Sequence, residues 1–185
     1  MKKSSLLFTL LLTCVLLLST NINAQKFAQP DKSPMDVSAF PGSYKNANKQ
    51  IKITYSRPQL KGRALEALAP NGKVWRTGAN EAPELTLYKS MKFGDVTIAP
   101  GTYSFYVIPG KKEWTAIINS DLNTWGAYTY DETKDIARIK VPVTKAKEAL
   151  EYFSIAFNKN NNDVVMHLGW NKTRVAVPFT KITKK

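Results

Sequence analysis

The sequence predicts one all-β domain, a β-sandwich or jelly-roll-like barrel of about nine strands following a signal peptide. Three observations carry this. Apolar and polar residues alternate with period 2 in run after run from Ile51 to Phe179. Turn signals separate the runs at short intervals, and only two short stretches, Ala64 to Ala69 and Thr144 to Leu150, have helical character. Strict alternation marks strands with one buried face, and many such strands joined by turns mark sandwiches and barrels.

The N-terminus comes first. Lys2 and Lys3 are followed by an apolar run from Leu6 to Leu18, and then by Ala24 before Gln25. The run is short of the ~20 residues that a membrane span needs, and it fits the apolar part of a secretory signal. Cleavage is expected near Ala24. That predicts an exported protein, periplasmic or secreted, with no stable membrane insertion after cleavage. Cys14 is the single cysteine and lies inside this run, with Val15 to Leu18 continuing beyond it, so it reads as part of the signal and not as a lipid anchor. The mature chain then has no thiol, which excludes disulfides and thiolate metal sites. The division expected is 1–24 signal peptide, 25–49 flexible leader and 50–185 β-sandwich domain.

The formal net charge is +13. Such an excess favours acidic partners or simply makes a solvated lysine surface. Export argues against nucleic acid as the partner.

Residues 25–49 are polar and contain Pro30, Pro34, Pro41 and Gly42, without sustained periodicity. Beyond them Ile51, Ile53 and Tyr55 alternate with Lys52 and Thr54, and Leu85 and Leu87 with Glu84 and Thr86. Phe93-Gly94-Asp95-Val96 suits a two-residue hairpin. Ala99-Pro100-Gly101-Thr102 suits a type II turn with Gly101 at positive φ, and Pro109-Gly110-Lys111-Lys112 is similar. Tyr103 to Ile108 is apolar on both faces, as a central strand is, and Trp114 to Asn119 is its expected partner. Ile136 to Val143 is a further strand, and Pro142 suggests that it lies at an edge. The last strands are Phe153 to Phe157, Val164 to Trp170 and Val175 to Phe179, with a polar loop from Asn158 to Asp163.

Three segments carry chemistry. Arg57, Lys61 and Arg63 fall in a loop broken by Pro58 and Gly62. Two guanidinium groups there can clamp a carboxylate or phosphate, or they can pair with internal acids such as Glu66 or Glu81. The run Trp75-Arg76-Thr77-Gly78-Ala79-Asn80-Glu81 places an aromatic ring, a cation, small residues, an amide and a carboxylate together. It suits either a ligand-lined loop or a tight turn locked by its own side chains. Ser120 to Lys134 is a long connection bearing Trp125, Tyr128 and Tyr130. Long loops are often functional, and rings beside amides stack on sugars or cap an open sandwich end.

The stretches YSRPQLKGR, WRTGANE, IAPGTYSFYVIPGKKEWTAIIN and WGAY resemble a bacterial exported family catalogued as a domain of unknown function, number 2911. The similarity runs from about Ser33 to Phe179. It implies a signal-bearing, β-rich envelope protein and implies no reaction.

No complete catalytic set is legible. His167 is the single histidine, and no G-x-S-x-G elbow supplies a nucleophile for it. No glycine-rich phosphate loop is present, and Asp121, Asp131, Glu132 and Asp135 lack calcium-loop spacing. A carboxylate pair for glycoside cleavage stays open, with Glu81 meeting Glu113 or Asp121. The reading is therefore a binding module for a small anionic or sugar-like ligand, with no cofactor and no metal. Its site is Arg57, Lys61, Arg63, Trp75, Arg76, Asn80, Glu81, Trp125 and Tyr128. The alternatives are a structural or adaptor module of the envelope, and a carboxylate-dependent carbohydrate-active hydrolase.

Overall fold

The computed structural model describes residues 25–182, so the signal-peptide reading of 1–24 lies outside the described residues. One compact unit runs from Asp31 onward. It contains strands β1 (Met35–Phe40), β2 (Ile51–Ser56), β3 (Glu84–Leu87), β4 (Met91–Phe93), β5 (Val96–Ile98), β6 (Gly101–Ile108), β7 (Glu113–Asn119), β8 (Asp135–Asn160) and β9 (Asp163–Lys181). A single-turn helix, α1 (Leu65–Leu68), and a 3-10 turn at Glu132–Lys134 complete the elements. The strands pair antiparallel in the order β1-β2-β3-β6-β7-β8-β9-β4-β5. The protein is all-β and sandwich-like, as the alternation predicts.

β8 makes the sandwich. Its first part pairs with β7 as far as Pro142, and from Val143 it pairs with β9. One strand thus belongs to both layers. Pro142 is therefore not at a sheet edge. It sits where the strand leaves one partner for the other, and Val143 next to it donates its N–H to Lys112 O at 2.8 Å. A missing N–H is tolerated at such a junction.

The stretch Thr144 to Leu150 is strand and not helix. Thr144 and Lys145 pair with Arg174 and Thr173, and pairing resumes at Leu150 with Asn171 after a register shift. Its helix-forming residues are overridden by the ladder on either side. The expected leader is also partly paired, since β1 lies within it and docks on β2. Its alternation points the other way: Met35 and Val37 are exposed, while Asp36, Ser38 and Phe40 are half-buried. The hairpin at Gly94-Asp95 forms as expected, with Phe93 opposite Val96. Gly101 does not take a positive φ; it begins β6, and the Tyr103 hydroxyl donates to Ala99 O at 3.0 Å.

The core lies between the layers. Ile51, Ile53 and Tyr55 of β2, Phe105 and Val107 of β6 and Trp114, Ala116 and Ile118 of β7 face Phe153 of β8 and Met166, Leu168 and Trp170 of β9. The Trp75 ring is 4% exposed and stacks on Trp170, with centroids 5.6 Å apart and planes inclined by 15°. Phe153 and Trp114 meet it edge-on at 5.1 and 6.1 Å. Trp75 is thus a core residue and not the wall of a ligand cleft. Truncating a buried aromatic side chain costs about 3–5 kcal/mol. Trp75→Ala is expected to lose stability on that scale in urea denaturation, and an unchanged midpoint would contradict the packing.

Candidate functional site

Backbone pairing carries the Trp75–Glu81 segment to the sheet. Trp75 donates to and accepts from Val107, at 2.8 and 3.0 Å. That antiparallel bridge carries the Trp75 ring into the core, and Arg76 follows it half-buried. Thr77 is fully buried with a φ of +55°, and Asn80 has a φ of +58°. A buried β-branched residue in the left-handed region is strained, and such strain gathers at binding and active sites. Gly78 is held close to β2, where an added Cβ would lie 2.9 Å from Ser56 O.

The long connection lies over the outer face of β6 and β7. Tyr106 and Ile117 are buried there with Ala82, and Ala127 and Tyr130 pack on them. The Tyr106 hydroxyl bonds Thr124 Oγ1 at 2.6 Å, and the Tyr130 hydroxyl donates to Asp135 Oδ2 at 2.6 Å. The loop is laced to the Trp75–Glu81 segment by Ala82 N to Thr124 O and Gly126 N to Asn80 O, both at 2.9 Å. Gly126 has a φ of +72°, and an added Cβ would meet the Tyr128 ring at 2.6 Å. Glycine is therefore required for Tyr128 to lie where it does. Trp125 and Tyr128 stack with centroids 5.3 Å apart and planes inclined by 19°, yet they are 63% and 76% exposed.

Beside this pair is a cleft of about 420 Å³ lined by Asp31, Ser33, Met35, Ser56, Asn80, Glu81 and Trp125. Glu81 also borders a neighbouring hollow lined by Thr54, Glu84 and Asn123. Asp31 Oδ1 accepts from Ser33 N at 2.6 Å. That bond, then the Asn80 side chain, holds the exposed Asp31 carboxyl below the usual carboxylate range. The cleft thus presents two carboxylates, an amide, two hydroxyls and an indole.

Of the residues that the sequence singles out, Asn80, Glu81 and Trp125 line the cleft, and Tyr128 stacks on Trp125 beside it. Arg57, Lys61 and Arg63 are not among the lining residues. Arg57 donates to Phe153 O at 3.1 Å, to Asp36 Oδ2 at 3.0 Å and to Ser154 Oγ at 2.8 Å. Its acid is Asp36 of β1, neither Glu66 nor Glu81. Arg63 donates to Leu60 O and Gln59 O, which closes its own loop. Lys61 is exposed, and its backbone N–H donates to Glu151 Oε1 at 2.7 Å. Arg76 differs from both arginines: its Nε is buried and has no hydrogen-bond partner among the described residues.

The chain matches the family model described as protein of unknown function (DUF2911) over residues 38–179. The chain belongs to the DUF2911 family. No curated protein and no solved structure matches it. The match to DUF2911 spans every segment that builds the cleft except Asp31, Ser33 and Met35. Those three were missed in the sequence because they sit in a proline-flanked stretch that reads as leader.

The other chemical candidates are not among the residues that line the cleft. Glu113 lies beyond the Ile108–Thr115 pair at the β6–β7 turn, and its Oε1 is 2.8 Å from Lys140 Nζ. Asp121 uses its backbone oxygen to accept from Ser104 Oγ. His167 faces Ala156 across the β8–β9 ladder, and burial pushes its imidazole below the ordinary value. Among the described residues no three acidic, His or Cys side chains form a metal-binding group, and no helix is long and apolar enough to cross a membrane.

Two outcomes follow from this geometry. Arg76→Met keeps the aliphatic stem and removes a buried donor that has no partner, so the melting temperature is expected to hold or rise. A loss of several degrees would mean a buried partner worth about 1–3 kcal/mol. Burial holds the phenols of Tyr55, Tyr106 and Tyr130 above their ordinary value of 10.0. The unfolded chain releases those protons first, so the stability that they contribute is present below pH 10 and is lost above it. Melting curves from about pH 9 to about pH 11 should show the fall, and it should be shallower in Tyr130→Phe.

Proposed function

We propose that this DUF2911 protein is an exported binding module for a small sugar-like ligand, held at the cleft beside Trp125 and Tyr128. The observation that carries the reading is the stacked, largely exposed Trp125–Tyr128 pair, fixed in place by Gly126 and adjoining Asn80, Glu81 and Asp31. Large rings are ordinarily buried, and an exposed pair rimmed by polar groups suits a ligand with an apolar face and hydroxyl edges. Asp31 and Glu81 would accept from hydroxyl groups, and Asn80 would both donate and accept. The ionisable groups lining the cleft are carboxylates, so a neutral sugar is favoured over an anion at this place. The signal-like N-terminus supports export to the periplasm or beyond.

A structural role remains a second reading for the Arg57–Arg63 loop alone. The internal bonds favour it, because Arg57, next to β2, reaches Asp36 of β1 and Phe153 and Ser154 of β8, while Arg63 closes the loop on itself.

The test is thermal unfolding against neutral and acidic oligosaccharides at fixed salt. A ligand at about 100 times its dissociation constant stabilises by ~2.7 kcal/mol. A neutral oligosaccharide should raise the melting temperature, and Trp125→Ala should weaken its binding by about tenfold or more while the protein stays folded. Normal binding by Trp125→Ala would sink the proposal.

A further inference from the structure

A second cleft, independent of the Trp125 site, lies where the β6–β7 turn, α1 and the β8–β9 ladder meet. Its volume is about 410 Å³. The floor is apolar and buried: Leu65, Ala69 and the indole of Trp114, with Val143 beside them. The rim is cationic. Lys111 and Lys145 line it and make no ion pair among the described residues. Lys145 Nζ donates to Oγ1 of Thr173 at 3.1 Å, and Thr173 is itself buried. Glu66 stands on the rim as well, so two ammonium groups face one carboxylate.

The opening has a cause in the ladder. Lys145 pairs with Thr173, and Leu150 pairs with Asn171, so the intervening residues of β8 bow away from β9 directly beside the cleft. Bulges of this kind re-aim side chains next to binding sites. Here Lys145 is the last residue paired before the register shift, and its ammonium group stays on Thr173 at the lining of the cleft.

We propose that this cleft binds a small monocarboxylate with a short apolar body, the carboxylate between Lys111 and Lys145 and the body against Trp114 and Leu65. The volume is within the usual range for small-ligand sites, which is about 300–1,000 Å³. The net rim charge of the two lysines and Glu66 matches one negative charge better than two. The Thr173 hydroxyl adds a polar contact beside the Lys145 ammonium group, since it can donate onward while it accepts from Lys145.

The experiment uses the purified protein with hexanoate, phenylacetate and their primary amides, read by calorimetry and by the tryptophan indole N–H signals in NMR spectra. The acids should bind, the amides should bind about tenfold or more weakly, and the Trp114 signal should move. Lys111→Gln and Lys145→Gln should each weaken acid binding by about tenfold, and Lys145→Arg should restore it. Trp125→Ala should leave acid binding unchanged, which separates this site from the sugar cleft. Equal binding of acid and amide, no binding of either acid, or movement of the Trp125 signal in place of Trp114 would overturn the proposal.

Discussion

The stack of Trp75 on Trp170 is the contact on which the rest of the molecule depends. Trp75 is fixed by two backbone bonds to Val107 in one layer, while its ring lies on a side chain of β9 in the other. The contact therefore closes the sandwich and anchors a loop with a single residue. Burial of a side chain of this size is among the largest single contributions available to a domain without disulfides. Two residues past the pinned ring, Thr77 turns back into the protein at the cost of a left-handed backbone. Asn80 and Glu81 then reach the loop that carries Trp125. The site geometry is a consequence of the core packing.

The arginines divide by what burial allows them. Arg57 reaches Asp36, Ser154 and a carbonyl of Phe153, so its charge is compensated where it joins three strands. Pairs of this kind at half-exposed positions contribute modestly to stability but fix geometry, and here they hold β1 against the body of the domain. Arg63 serves its own loop. Arg76, next to Trp75 in the chain, has its Nε desolvated with no partner among the described residues. Strong positive charge in the composition thus resolves into arginines tied into the fold and lysines left at the surface, where Lys111 and Lys145 gather around an apolar floor.

The two clefts differ in the physics that each offers. Beside Trp125 there are carboxylates, an amide and an exposed ring face, which suit directional bonds to hydroxyls together with stacking. At the β6–β7 turn there is a buried indole floor under ammonium groups, which suits an apolar body with one charged end. The outer loop also owes its order to polar contacts as much as to packing. The Tyr106–Thr124 bond, the Asp135 carboxylate under Tyr130 and the edge-on contact of the two tyrosine rings hold a connection that has little regular structure.

The sequence by itself determined the strand content, most strand positions and the Gly94-Asp95 hairpin, because each depends on local alternation and turn chemistry. It also singled out the two segments that carry Asn80, Glu81, Trp125 and Tyr128, which the Glu81–Trp125 bridge joins. Tertiary structure alone decided the remainder. β1 was illegible because an edge strand with Met35 and Val37 facing out has no buried apolar face to betray it. The continuity of β8 through Pro142 and Ala146 depends on two different partners, and neither is visible locally. Whether Trp75 lined a cleft or filled a core depended on Trp170, far away in the chain, and whether Arg57 was free depended on Asp36 and Ser154. Periodicity records which face of a strand is buried, but it does not record what that face is buried against.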